Sequence, residues 1–555
     1  MRQELEAAIA AIVKDVFGLD VQVELTRPDE QFGDYATNIA LQLSKQVGQN
    51  PREIAEALAV KCREHLQDKV ISVAVAGPGF LNLKLSDNAL MTMAQTGTPK
   101  LMVGTRVLLE YSCPNAFKEL HTGHLYQTIA GDAVGKILEA AGATVYRTNF
   151  GGDVGLHVAK CLHGIIETLG GELPEKLADI SEPEQAEWLS AAYVKGAKAY
   201  EEDEAAKVQI TEINSKIYTF HTENDHESAL AQIYWTCREW SYAYFKRFYE
   251  QIQVTPFDKY YPESVTAEPG LEMVRNHIGS VFQESDGAVI FTPEDSDHTR
   301  VFITSKGLPT YETKDLGVIV SEAQDFPFDK RIIMTGNDQS EYMKVVFAAL
   351  HAVDPELGAK QTHLTHGTVR FADGQKMSSR LGNVTRAVDV LEVVGEAVKE
   401  ERPDADEYTV SLAAIKYSFL KHRLGGDIAF DIRESVSLEG NSGPYLQYAH
   451  ARARSILRKS EVKPSEPQKL EDDERSLVRK LGEYTEVANK AVQELMPHHI
   501  AGYLYELSQT FNRFYEHNRV VGDPREAERL KLVELYADTL KRGLELLGIT
   551  APEKM

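Results

Sequence analysis

The chain has 555 residues, 43% of them hydrophobic, and a formal net charge of −24. That length holds roughly three or four domains with substantial cores, and no apolar run approaches the ~18 residues of a membrane span. The acidic balance argues against a general nucleic-acid binder, while leaving room for a local basic surface facing one RNA. The opening stretch is charged at Arg2, Glu4 and Glu6 and lacks the apolar core of a signal peptide, so a cytoplasmic protein is expected. Cys62, Cys113, Cys161 and Cys237 lie far apart with no Cys-x-x-Cys pair, so neither a thiolate metal site nor a disulfide framework is expected.

In chain order, residues 1–98 read as a separate α+β module. Leu5, Ala8, Ile9 and Ile12 make an amphipathic opening helix, and 70–75 and 80–85 alternate as strands around Gly77-Pro78-Gly79. Next, the apolar run 107–109 reads as a buried strand. Leu125, Ile129, Ala133, Ile137 and Ala141 then fall four apart on one helix face, and Gly142 stops that helix before a second strand at 144–146. At the helix entrance stands His121-x-Gly123-His124. Free N–H groups of a helix start suit phosphate, two imidazoles can donate to an anion, and Gly123 lets a ligand approach the backbone.

Residues 160–255 read as a helical insertion with an aromatic core that includes Trp235, Trp240, Tyr242 and Tyr244. From 256 to 390 the pattern is again rich in strands (288–292, 301–304 and 330–334), expected to form the second half of a doubly wound parallel sheet. A Gly-containing loop there, Asp373-Gly374-Gln375-Lys376-Met377-Ser378-Ser379-Arg380, again suits phosphate. Residues 391–440 read as a helical connector and 441–555 as an all-α bundle. In the bundle His450, Arg454 and Arg458 recur every four residues, a stripe that is either a solvated face or an RNA contact.

Together, and in this order, the two phosphate-suited stretches are the signature of class I aminoacyl-tRNA synthetases. Pro114-Asn115-x-x-Lys118-x-x-His121-x-Gly123-His124 closely resembles the arginyl-tRNA synthetase version. The resemblance covers nearly the whole chain. Gly33-Asp34-Tyr35-x-Thr37-Asn38 and Gly77-Pro78-Gly79-Phe80-x-Asn82 are similar to that family's N-terminal domain, and 546–555 resembles its C-terminus. It implies an α/β, Rossmann-like catalytic domain at 99–390 with the insertion at about 160–255. It further implies a tRNA-elbow-binding domain at 1–98, a connector at 391–440 and an anticodon-binding domain at 441–555. The implied reaction joins L-arginine to tRNA(Arg) through arginyl-adenylate, using ATP with Mg²⁺, in a monomer.

The resemblance also assigns residues. His121, Gly123, His124, Lys376, Met377, Ser378 and Ser379 would hold ATP, with His121, His124 and Lys376 as donors to the charge that builds on the α-phosphate. The usual Lys-Met-Ser-Lys-Ser loop has lost its second lysine to Ser379, and Lys118 is expected to supply that cation. Tyr311 and Asp315, four apart, share a face if helical. With Glu110 they are assigned to the guanidinium, and Ser112, Asn115 and Gln339 to the amino and carboxylate end. Glu312 and Asp338 stand as alternative carboxylates. Tyr445, Tyr448, Arg452 and Met555 are assigned to tRNA. Val154 and His157 stand where the family usually has Trp and Gln. The competing readings are a class I synthetase for lysine or glutamate, a non-catalytic tRNA-binding relative, and a nucleotidyltransferase that makes a small cofactor.

Overall fold

The computed structural model describes residues 1–294, 298–372 and 386–555. The N-terminal module is a three-stranded antiparallel sheet of β1 (Tyr35–Thr37), β2 (Val70–Ala76) and β3 (Phe80–Leu85), in the order β1-β3-β2, packed by the helices Arg2–Phe17, Ile39–Val47 and Pro51–His65. Its Gly33-Asp34-Tyr35 run has a structural reason. A Cβ on Gly33, at φ +121°, would lie 2.8 Å from the Leu83 carbonyl oxygen. Asp34 accepts from the Leu85 N–H at 2.7 Å and from Arg475 at 2.6 Å, and Tyr35 donates to Glu486 at 2.5 Å. The motif thus docks the module on the C-terminal bundle.

At the centre lies a five-stranded parallel sheet of β4 (Arg106–Glu110), β5 (Thr144–Gly151), β6 (Lys259–Pro262), β10 (Lys330–Gly336) and β11 (Gln361–His366), in the order β11-β10-β4-β5-β6. From β4 the chain winds outward through β5 and β6, then returns to the other side of β4 as β10 and continues to β11. The strand order therefore reverses between β4 and β10, and a crevice opens at their carboxyl ends, where ligands bind in open α/β sheets.

Between β5 and β6 lie the helices Leu156–Leu169, Gln185–Glu202, Glu204–Thr222 and Ala229–Gln251, with a core of their own around Leu162, Ile210, Ile217 and Tyr234. The expectation for 256–390 needs one correction. The strands near 288–292 and 301–304 do form, as β8 (Ala288–Phe291) and β9 (Arg300–Ile303), but with β7 (Gln283–Ser285) they make a separate antiparallel sheet. The physical reason is connection length: two residues separate β7 from β8 and eight separate β8 from β9, and a parallel crossover needs a dozen or more.

Two short strands, β12 (Val369–Phe371) and β13 (Ile428–Phe430), pair in parallel beyond the sheet. The helices Ala387–Glu401 and Glu407–Leu420 lead into the bundle of Gly443–Lys459, Asp472–Leu481, Tyr484–Glu494, His498–His517 and Glu526–Leu546. A continuous apolar core joins the N-terminal module, the helix Thr122–Ala140 and the bundle. No helix among the described residues is long and apolar enough to cross a membrane.

Candidate active site

The loop from β4 to the helix Thr122–Ala140 is built under strain. Ser112, Cys113 and Phe117 all take positive φ (73°, 44° and 66°), which costs about 1–3 kcal/mol each outside glycine. The loop ends in a reciprocal cap. His121 Nδ1 accepts from the N–H groups of Gly123 (3.1 Å) and His124 (3.4 Å), while His124 Nδ1 accepts from the His121 N–H at 3.2 Å. The two rings stack with centroids 3.7 Å apart. A Cβ on Gly123 would sit 2.9 Å from His121 Cε1, so glycine is also required by the cap itself.

This cap fixes the chemistry of both rings. With each Nδ1 occupied as an acceptor, the neutral imidazole carries its proton on Nε2 and presents that N–H outward. Burial, His366 and Lys118 hold His121 below the usual imidazole range. Burial and then His121, His366 and Lys118 hold His124 well below it. Two neutral N–H donors therefore stand together at a helix N-terminus.

A concentration of buried acid gathers around β4 and β10. Arg331 of β10 is only 1% exposed, and its guanidinium contacts Glu110, Glu322 (2.6 Å) and Gln361 (3.3 Å). Glu110 and Glu322 pair with this one cation, and Asp315 lies near enough to feel its charge. Burial, opposed by Arg331, pushes the Glu110 carboxyl up to about 8. Burial likewise pushes Asp315 up to about 7, although Tyr342 donates to it and Arg331 is near. One layer out, Lys314 and Glu263 form a buried pair at 2.6 Å.

The arginine-end residues are distributed unequally. Tyr311 opens the helix Tyr311–Asp325 and is 58% exposed, with Asp315 one turn on at the edge of the buried acid. Asn115 is exposed above Gly152, where a Cβ would meet its Oδ1 at 2.3 Å and Glu263 Oε1 at 3.2 Å. Gln339 is exposed at the end of the short 3₁₀ turn Asn337–Gln339. Glu110 and Ser112 are both buried. Glu110 pairs with Arg331, and Ser112 is bonded to Tyr249 and Thr128 at 2.8 Å each. Glu312 faces Arg300 at 3.7 Å.

Lys376, Met377, Ser378 and Ser379 lie outside the described residues. Residues 386 and 387 are tied to the His121 loop: Ala387 N–H donates to the Leu120 carbonyl at 2.8 Å, and Arg386 pairs with Glu119 at 3.4 Å and Asp389 at 2.6 Å. Val154 is buried in the insertion core, and His157 donates from Nε2 to the Gly152 carbonyl at 3.2 Å. Asp153, fully buried, binds Arg238 at 2.8 Å and Ser264 at 2.6 Å.

In the bundle, Tyr445 is half-buried and accepts from Asn512 at 2.9 Å, beside an open cavity of about 550 Å³ that Tyr505, Arg513 and Glu516 also line. Tyr448 and Met555 are exposed, and Arg452 lies 4.7 Å over the Tyr515 ring. The basic stripe is already occupied by the chain itself. His450 is buried against the Pro552 carbonyl, Arg454 pairs with Asp538 at 2.7 Å, and Arg458 pairs with Glu553 at 3.4 Å.

A parallel sheet that reverses at β4/β10, with a His-x-Gly-His cap at the crevice, defines the catalytic domain of a class I aminoacyl-tRNA synthetase. Residues 86–432 match the model for tRNA synthetases class I (R), catalytic domain; 1–85 match the arginyl tRNA synthetase N terminal domain; and 446–555 match the DALR anticodon binding domain. The chain is 32% identical to the arginine--tRNA ligase of Thermobifida fusca over 95% of this chain and 94% of that one. It is 29% identical to that of Porphyromonas gingivalis over 100% and 99%. The arginyl-tRNA synthetase structure of Thermus thermophilus superposes with a TM-score of 0.81 at 27% identity, covering both chains fully. The chain belongs to the arginyl-tRNA synthetase family.

Proposed function

We propose that this chain is an arginine--tRNA ligase in which ATP sits over the His121/His124 cap and the guanidinium of arginine enters beside Asp315. In the first step an oxygen of the arginine carboxylate bonds to the α-phosphorus of ATP, and the bond to the bridging oxygen breaks. Pyrophosphate leaves with that electron pair. In the second step a hydroxyl of the terminal ribose of tRNA attacks the arginyl carbonyl and AMP departs.

The observation that carries this reading is the reciprocal cap, which holds two neutral imidazoles side by side at a helix N-terminus with each Nε2–H left as a donor. Preorganised donors of this kind are worth about 2.7–4 kcal/mol each in the transition state. Lys118 and Lys376 supply the cations for the phosphates, with Ser378 and Ser379 as hydroxyl donors and Met377 and Gly123 lining the nucleotide. Mg²⁺ would arrive with ATP and neutralise phosphate charge.

At the amino-acid end Asp315, Glu110 and Tyr311 take the guanidinium. Ser112, Asn115 and Gln339 take the amino and carboxylate groups. Lysine would leave the polar groups placed for a planar fork unpaired. Tyr445, Tyr448, Arg452 and Met555 meet the anticodon end of tRNA(Arg), and the N-terminal module its elbow.

The test is attachment of radiolabelled amino acids, one at a time, to total tRNA with ATP and Mg²⁺. Arginine alone is expected to be charged. Charging with lysine or glutamate would overturn the pocket, and charging with nothing would leave a tRNA-binding relative.

A further inference from the structure

Residues 117–120, which lead into His121, are each held by a different side chain of the helical insertion. The Phe117 N–H donates to Ser241 Oγ at 2.9 Å, the Glu119 N–H to Ser190 Oγ at 2.9 Å and the Leu120 N–H to the Tyr244 hydroxyl at 3.3 Å. The fourth contact is of another kind: the Lys118 ammonium lies 3.8 Å from the centroid of the Tyr193 ring. The geometry is regular. Ser190 and Tyr193 are three apart on the helix Gln185–Glu202, and Ser241 and Tyr244 are three apart on Ala229–Gln251. Each helix therefore turns one i, i+3 pair toward the loop.

The three amide contacts place the backbone, and the ring places the charge. A lysine stem is flexible, and holding its ammonium in one place costs conformational entropy. A carboxylate could hold it, but would cancel the charge that makes it useful. An aromatic face attracts the ammonium through its quadrupole and adds no counter-charge. Among the described residues Lys118 makes no ion pair with a carboxylate, although the chain carries 84 of them. Its charge is felt at His121, His124 and His157, all three of which it helps hold below the usual imidazole range, so the ammonium lies close to the cap.

We propose that Tyr193 is a positioning residue for catalysis: its ring holds the Lys118 ammonium beside the His121/His124 cap, with its charge uncancelled, to meet the departing pyrophosphate. This deepens the functional reading above and rests on its assignment of Lys118. Tyr193 acts through Lys118, and Lys118 supplies the cation that Ser379 does not.

The experiment is arginine-dependent ATP–pyrophosphate exchange with tRNA present, measured on Lys118→Ala, Tyr193→Leu, Tyr193→Phe and the double variant Lys118→Ala/Tyr193→Leu. Tyr193→Leu is expected to lower kcat roughly tenfold while the KM for arginine stays put. Tyr193→Phe keeps the ring and should stay near the wild-type rate. The double variant should be no slower than Lys118→Ala, because the ring then has nothing to place. General damage to the insertion would instead make the two losses multiply. A wild-type rate for Tyr193→Leu beside an impaired Lys118→Ala overturns the proposal and leaves the reading of Lys118 standing. Multiplying losses, or a Tyr193→Phe as slow as Tyr193→Leu, also overturn it. A wild-type rate for Lys118→Ala overturns the reading and the proposal with it.

Discussion

The nucleotide end and the amino-acid end of the crevice are built by opposite means. At the nucleotide end the working groups are neighbours in sequence: His121 and His124 cap each other within one turn, and burial together with nearby positive charge keeps them neutral. At the amino-acid end the groups come from β4, the helix Tyr311–Asp325 and β10. There one resident guanidinium, Arg331, is outnumbered by carboxyls. The first end needs donors that do not change charge; the second needs an acid surplus that only another guanidinium relieves.

That contrast can be broken from either side. The largest effect is expected from Arg331→Met, which leaves Glu110 and Glu322 buried without their cation. Breaking a buried pair costs about 3–5 kcal/mol, read as a lowered urea midpoint. Next comes His124→Ala, which removes a donor and its half of the cap. It should lower kcat for exchange roughly a hundred- to thousandfold at nearly unchanged arginine KM.

Asp315→Asn acts at the other end, and should raise the arginine KM by about 1.5–3 kcal/mol, roughly 10- to 150-fold. It should also abolish a pH dependence. Asp315 is pushed up to about 7 by burial, with Tyr342 and Arg331 lowering it and Glu263 and Glu312 raising it. Below that value the carboxyl is neutral and attracts a guanidinium poorly; above it the charge is present. The arginine KM of the wild type should therefore fall roughly tenfold between about pH 6 and about pH 8, and that of Asp315→Asn should not. The smallest effect is expected from Arg454→Ala. Its pairs with Asp538 and Glu553 are partly exposed, and their loss should change stability by less than about 1 kcal/mol.

The same contrast explains what could be read from the sequence. The cap is a local pattern: a strand, a His-x-Gly-His and a helix of period four suffice to place it, and so does Gly142 at its far end. The helical pairing of Tyr311 with Asp315 was legible for the same reason. Arg331 was not, because nothing around 330–334 distinguishes a buried, doubly paired arginine from an exposed one at the start of a strand. The burial of Glu110 and Ser112 beside the motif was not legible either, because no local pattern marks which way each side chain packs. The clamp from Ser190, Tyr193, Ser241 and Tyr244 joins residues 71 to 124 positions from their partners, and no local period marks it. The stripe of His450, Arg454 and Arg458 shows the converse. Its spacing was real, but the acidic tail that covers it lies about 100 residues away.

The most direct test of the acid-surplus pocket is calorimetry of arginine binding at about pH 7, in buffers of different ionisation enthalpy. Arginine that lands beside Asp315 should displace its proton, so the apparent enthalpy should vary with the buffer and report net proton release. The same enthalpy in every buffer, with arginine bound, would contradict the account.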